Sequence, residues 1–95
     1  MMIALNDKIK PDPDVVVTEL DDKEAVLLHL GTKMYYTLNE TGIRIWQLLS
    51  EGHSIREACE TIHNEYDIMP DAAQKSVLNL TQELIAQKLV TQISE

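Results

Sequence analysis

Hydrophobic residues follow two different periods along this chain, a short one in the first half and a helical one in the second. Three β-branched or aromatic runs, VVVTEL, AVLLHL and MYYTL, are separated by the turn sequences DDKE and GTK. Such runs predict strands, and connections this short predict antiparallel pairing with the second strand in the middle. Residues 1–13 carry two prolines near their end, which predicts an extended arm before a domain spanning residues 14–95.

The second half predicts three helices. The first covers residues 40–50, with Asn39 as its N-cap. SIRE at residues 54–57 has the spacing of a capping box and opens the second. The third begins near Pro70 and runs to about Lys88, and LVTQI follows as a short apolar tail. The order βββααα, with two closely joined helices, predicts an α+β domain of the winged helix-turn-helix type.

Composition narrows the class of protein. The chain is 44% hydrophobic and 25% charged, as expected of a globular domain. No apolar run approaches the ~20 residues that would span a bilayer, so we expect no membrane segment. The N-terminus has no cleavage site of a signal peptide, and a single cysteine forms no internal disulfide. These features predict a cytoplasmic protein.

Charge argues against a nucleic-acid partner. The net charge is −8 and the predicted third helix carries as many acidic as basic residues, without arginine. Affinity for nucleic acid comes largely from lysine and arginine at the phosphates. A winged-helix DNA-binding regulator is therefore the least favoured alternative.

Residues that could carry catalysis or bind a metal are few. Cys59 and His63 share a helix face, but two ligands do not make a zinc site, and Cys59 also continues an apolar stripe. The chain has no nucleophile elbow, no glycine-rich phosphate loop and no paired carboxylates in an apolar setting. We therefore expect a protein that is not an enzyme and has neither a cofactor nor a metal site.

The third helix has a wider apolar arc than a helix that covers a core from one side needs. Two flanks lie about 120° apart on a helical wheel, with a more polar seam between them. One flank can face the core while the other lines a groove, or both can be buried. The first flank holds Ala73, Val77, Leu80 and Leu84, the second Leu78, Ile85 and Leu89, and the seam Gln74, Thr81 and Lys88.

The third predicted strand lies at a sheet edge that is poorly protected. MYYTL contains neither proline nor an acidic residue, and only Lys33 beside it would discourage pairing with another strand. Tyr36 points to one face of the sheet, and Tyr35 and Thr37 to the other. Such an edge can accept an extended peptide as an additional strand. The alternative is an edge that is merely short, or covered by the N-terminal arm.

Three blocks of the chain resemble the PqqD-like family, the precursor peptide recognition elements (RREs) of ribosomally synthesised and post-translationally modified peptides (RiPPs). They are LHLGTKMYYTLNETGIRIWQLL (28–49), SIREACETIHNEYDI (54–68) and LTQELIAQKLV (80–90). The resemblance implies a three-stranded sheet on three helices and a non-catalytic role. In the family, a leader peptide lies antiparallel along the third strand beside the third helix. It is then presented to a processing enzyme such as a leader peptidase, a cyclase or a radical SAM enzyme.

Carried over by position, the resemblance implies a set of site residues. Peptide contacts fall on Lys33, Met34, Tyr35, Tyr36, Thr37, Gln74, Val77, Leu78, Thr81 and Ile85. Structural roles fall on Asn39 as a cap, Gly42 in a tight turn, and Ile45 and Trp46 in the core. The chain has LGTK where members serving pyrroloquinoline quinone synthesis tend to have a Pro-Glu-Gly-like turn. It is closer to the stand-alone leader-binding proteins of lasso-peptide pathways, and a quinone-pathway chaperone is the alternative.

Overall fold

The computed structural model describes residues 7–93, which form five strands and three helices. The elements are β1 (Lys8–Pro11), β2 (Val15–Asp21), β3 (Glu24–His29), β4 (Tyr35–Asn39), α1 (Glu40–Ser50), α2 (Ile55–Tyr66), α3 (Pro70–Ala86) and β5 (Val90–Ile93). The fold class is confirmed: a three-stranded antiparallel sheet in the order β2-β3-β4 precedes three helices. The middle strand β3 alternates buried and half-buried residues, as a strand covered on one face does.

A second sheet, which the sequence did not predict, joins the two ends of the described chain. β1 pairs antiparallel with β5, with Ile9 opposite Gln92 and Pro11 opposite Val90. Within the segment predicted as an extended arm, Lys8–Pro11 form a strand and the Ile9 side chain, only 3% exposed, belongs to the core. Residues 1–6 of that segment lie outside the described residues. The segment predicted as an apolar tail is a strand. The domain boundary at residue 13 stays a prediction.

Local side-chain signals mark both ends of α1 and the start of α2 where the sequence predicted, whereas α3 begins near Pro70 as predicted but ends at Ala86, before the predicted Lys88. Asn39 accepts a hydrogen bond from the Gly42 N–H at 2.8 Å and caps α1. Ser54 and Glu57 form both bonds of the capping box of α2. Gly52 follows α1 with a φ of 97°, a left-handed conformation that glycine adopts without steric cost.

The core lies between the inner face of the main sheet and the three helices. Leu27, Leu38, Ile45, Leu49, Ile55, Ile62, Leu84 and Leu89 are among its largest buried side chains. Trp46 is also buried there. Thr81 is buried as well, and its hydroxyl donates to the Val77 carbonyl at 2.7 Å, so this polar atom is satisfied within α3. No helix within residues 7–93 is long and apolar enough to cross a membrane.

The cap of α1 gives a direct test of this fold. Asn39→Ala removes the acceptor of the Gly42 N–H, and we expect a loss of about 1 kcal/mol in the free energy of unfolding. Urea denaturation followed by circular dichroism measures it. Asn39→Asp keeps the acceptor and should stay close to wild type. Equal losses in the two variants would contradict a capping role.

Candidate functional site

The main-chain groups of β4 divide between its partner strand and the free edge. The His29 N–H donates to the Met34 carbonyl at 2.9 Å, which places this pair among the hydrogen-bonded pairs of the ladder. In an antiparallel ladder such pairs alternate with non-hydrogen-bonded ones. Tyr36 therefore directs its N–H and C=O toward β3, whereas Tyr35 and Thr37 direct theirs outward. The outer edge of β4 thus presents the donors and acceptors of Tyr35 and Thr37.

This edge is open among residues 7–93. β4 has a single neighbour, β3, and the N-terminal segment pairs with β5 instead. Lys33 adopts a left-handed φ of 65° in the turn before β4, so it lies outside the regular ladder. Tyr35 is 69% exposed. Among the described residues, the outer edge of β4 therefore has no strand partner.

A groove of about 500 Å³ runs beside this edge, between β4 and α3. β4 contributes Tyr36, Thr37, Leu38 and Asn39, and β3 contributes Glu24. α1 contributes Thr41, Gly42 and Ile45, and α3 contributes Ser76, Asn79, Leu80 and Glu83. The groove thus combines a hydrogen-bonding edge, apolar side chains and two carboxyl groups.

Gly42 brings α1 close to the end of β4. A Cβ at this position would lie 3.2 Å from Oδ1 of Asn39 and 3.3 Å from Cδ2 of Leu38, both tighter than ordinary contacts. The residue lies in the first turn of α1 and not in the tight turn that the resemblance implied. Its role is steric, because any side chain here would press on the helix cap and on the groove.

Tyr36 and Glu83 connect the two walls of the groove. The Tyr36 hydroxyl donates to Oε2 of Glu83 at 2.5 Å, linking β4 with α3. This hydrogen bond, together with partial burial and the nearby negative charge, raises the pKa of Tyr36 to about 12. The phenol is therefore a protonated donor at neutral pH.

The structure brings only some of the predicted contact residues to the groove. Tyr36 and Thr37 line it, and Tyr35 lies on its edge. Val77 and Thr81 have no exposed surface, so they are not accessible to a ligand in this structure.

The remaining predicted positions lie elsewhere on the surface. Lys33 and Met34 are exposed just before β4 begins. Gln74 and Leu78 line a second, neighbouring groove of about 420 Å³ on α3, which shares Asn79 with the groove beside β4 but contains no residue of β4. Ile85 is half-buried and packs against the core.

Sequence reasoning missed the face of α3 that lines the groove. Its residues are Ser76, Asn79, Leu80 and Glu83, spaced as one helical stripe. The helical wheel placed Leu80 in an apolar flank and Thr81 in the polar seam between the two flanks. In the structure Thr81 belongs to the buried stripe of α3, and Leu80 lies where that stripe borders the groove. The polar residues Ser76, Asn79 and Glu83 beside Leu80 were the sequence signal for the groove face.

Cys59 and His63 lie apart from the β4 groove, at a small cavity of about 160 Å³ between α2 and α3. Nδ1 of His63 hydrogen-bonds the Ile68 carbonyl. Burial raises the pKa of the Cys59 thiol. Among the residues that the structure describes, no group of three or more His, Cys, Asp or Glu side chains could hold a metal ion.

Together, the fold and this site define a small α+β domain with an open strand edge facing a helix across a groove. The chain belongs to the PqqD family, since the family model described as "Coenzyme PQQ synthesis protein D (PqqD)" matches residues 24–90. The resemblance seen in the sequence is confirmed. A comparison with curated proteins gave no match.

Two solved structures are similar to this chain. One is TbiB1 in complex with the TbiA(beta) leader peptide, at 32% identity and a TM-score of 0.80, covering 90% of this chain and 99% of that one. The other is a lasso peptide synthetase B1 complexed with the leader peptide, at 25% identity and a TM-score of 0.79, covering 88% and 98%. The predicted closeness to lasso-type proteins is therefore confirmed.

The Tyr36–Glu83 hydrogen bond predicts a late step in an alkaline titration. Tyrosinate absorbance should show a step near pH 12 in the wild-type protein that is absent from Tyr36→Phe. Because the folded pKa lies above the value of about 10 for an unfolded tyrosine, this bond stabilises the fold fully below pH 10. That contribution is lost as the pH rises toward 12. Glu83→Gln should move the step to lower pH, and an unmoved step would contradict the assigned cause.

Proposed function

We propose that this protein binds the leader segment of a ribosomally made precursor peptide as an added strand on β4. The open edge of β4, facing α3 across the groove, is the observation that carries the proposal. The similarity to two proteins solved with leader peptides supports it. In this role the protein is a non-catalytic adaptor of lasso-peptide or related RiPP biosynthesis, acting in the cytoplasm.

The added strand would be held mainly by Tyr35 and Thr37. Each can exchange two main-chain hydrogen bonds with an antiparallel peptide, at ~1 kcal/mol net per bond. One or two apolar leader side chains in the groove add ~1.5–3 kcal/mol each. Ordering a flexible leader reduces the favourable binding free energy by a few kcal/mol. We therefore expect a dissociation constant of about micromolar or somewhat tighter.

The groove contacts that we propose on α3 differ from those implied by the resemblance. Ser76, Asn79, Leu80 and Glu83 face the edge of β4. We propose these four in place of the earlier α3 set, because two members of that set are buried and two others line another groove. Leu80 supplies the apolar contact.

Presentation to a processing enzyme follows from the alternation of side chains along a strand. Half of the leader side chains would enter the groove, and the other half would lie on the opposite face of the sheet, toward which the Tyr35 side chain points. That half stays accessible to a leader peptidase, a cyclase or a radical SAM enzyme. The alternative of the same kind is a chaperone in pyrroloquinoline quinone synthesis; the description of the family model is consistent with it, but it is not better supported than a lasso-type role.

A proline placed at the outward position tests strand addition. Tyr35→Pro removes an N–H that points away from β3, so the fold should persist while binding weakens by about tenfold or more. The probe is the TbiA(beta) leader peptide, followed through Trp46 fluorescence, with circular dichroism as the check on folding. Tyr35→Ala keeps the N–H and should bind nearly as well as wild type.

Two results would overturn the proposal. Undiminished binding by both Tyr35→Pro and Thr37→Pro would exclude addition at this edge. A salt-sensitive complex with duplex DNA, without any response to peptide, would favour the DNA-binding alternative.

Two half-buried leucines on α3 provide a matched pair for the groove. Leu80→Asn should weaken binding of the same leader by about tenfold, because Leu80 lines the groove beside β4. Leu78→Asn removes a similar apolar group on another side of the helix and should bind like wild type. Isothermal titration calorimetry measures both. The reverse order would place the leader on the other side of α3.

A further inference from the structure

The lining of the groove, as formed by residues 7–93, carries negative charge without a compensating cation. Glu83 lies on its α3 wall and Glu24 on its β3 side, and none of the described lining residues is lysine or arginine. The Glu83 carboxylate receives its hydrogen bond from the neutral phenol of Tyr36. It takes part in none of the ion pairs described within residues 7–93. A ligand in this groove therefore meets an uncompensated carboxylate.

The register of the free edge determines which ligand residue meets that carboxylate. Tyr35 and Thr37 are the hydrogen-bonding positions on the outer edge, so the peptide residue opposite Tyr36 forms a non-hydrogen-bonded pair. In such pairs the Cα atoms are about 4.5 Å apart and the side chains are closest. This peptide side chain points to the same face of the sheet as Tyr36, toward α3. Since the Tyr36 side chain itself reaches Glu83, a long side chain beside it on the same face would reach Glu83 as well.

We propose that the leader residue opposite Tyr36 is a lysine or an arginine, selected by the carboxylate of Glu83. The inference rests on the proposed function and adds a specificity determinant to it. Oε2 accepts from Tyr36, which leaves Oε1 for a donor of the ligand. Tyr36 is a positioning residue here, since it orients the carboxylate without contributing a charge. An acidic leader residue at the same position is disfavoured by repulsion from Glu83.

Selection from a library tests this without knowledge of the natural leader. Short random peptides displayed on their encoding mRNA are selected on the wild-type protein at about 0.15 M salt, where long-range attraction to the net charge is screened. Peptides that also bind Tyr35→Pro are removed. We expect the remaining peptides to share a lysine or arginine at one position of an extended apolar motif. Selection on Glu83→Gln should lose that preference.

Glu60→Gln is the matched control for the selection. It makes the same change in net charge, but Glu60 lines the small cavity between α2 and α3. Its selected peptides should keep the basic position. Loss of the preference in both variants, or in neither, would overturn the inference.

A double-mutant cycle then identifies the pair. In a selected peptide, lysine replaced by norleucine should weaken binding to wild type by about three- to tenfold and leave binding to Glu83→Gln nearly unchanged. An equal loss of affinity in the wild-type protein and in Glu83→Gln would contradict contact between the lysine and Glu83. Peptides that depend on the β4 edge but have no basic position would refute this inference and leave the proposed function standing. Failure to select any edge-dependent peptide would count against both.

Discussion

The direct passage from strand to helix at Asn39 determines the geometry on which the site depends. β4 ends at this residue and α1 begins at the next, without a loop between them. The Asn39 backbone is still extended, while its side chain already caps the helix through the Gly42 N–H. Since one residue serves both elements, the direction of α1 relative to the sheet edge is tightly constrained. The first turn of α1 consequently forms one end of the groove.

Packing of α3 completes that groove. Ala73, Val77, Thr81 and Leu84 are buried, and the burial of a threonine in this stripe is possible because its hydroxyl is satisfied by the Val77 carbonyl. The stripe beside it faces the edge of β4 across open space, bridged by the hydrogen bond between Tyr36 and Glu83. Within residues 7–93 the helix and the edge are held near each other without another strand between them. This arrangement suits an extended peptide, whose main chain can supply hydrogen-bond donors and acceptors to the edge.

An open edge strand is normally a hazard, because it can pair with any extended chain. Here the net charge of −8 works against indiscriminate self-association through mutual repulsion. The proposed function accounts for the missing proline and acidic residues on β4, since either would interfere with a ligand that pairs with the main chain. The proposed function also accounts for the short polar side chains of Ser76 and Asn79 on α3, which leave room beside the outer edge of β4.

The sequence by itself determined the elements whose signals are local. The strand runs, the Asn39 cap, the capping box at Ser54 and the glycine after α1 all depend on neighbouring residues. Tertiary structure alone decided three matters. β1 and β5 pair across nearly the whole chain, and four-residue strands carry too little pattern to predict such a partner. The outward groups of β4 follow from ladder register, which sequence does not specify. The face of α3 that meets the groove depends on how the helix rotates against the core, because a wheel with two apolar flanks is compatible with more than one rotation.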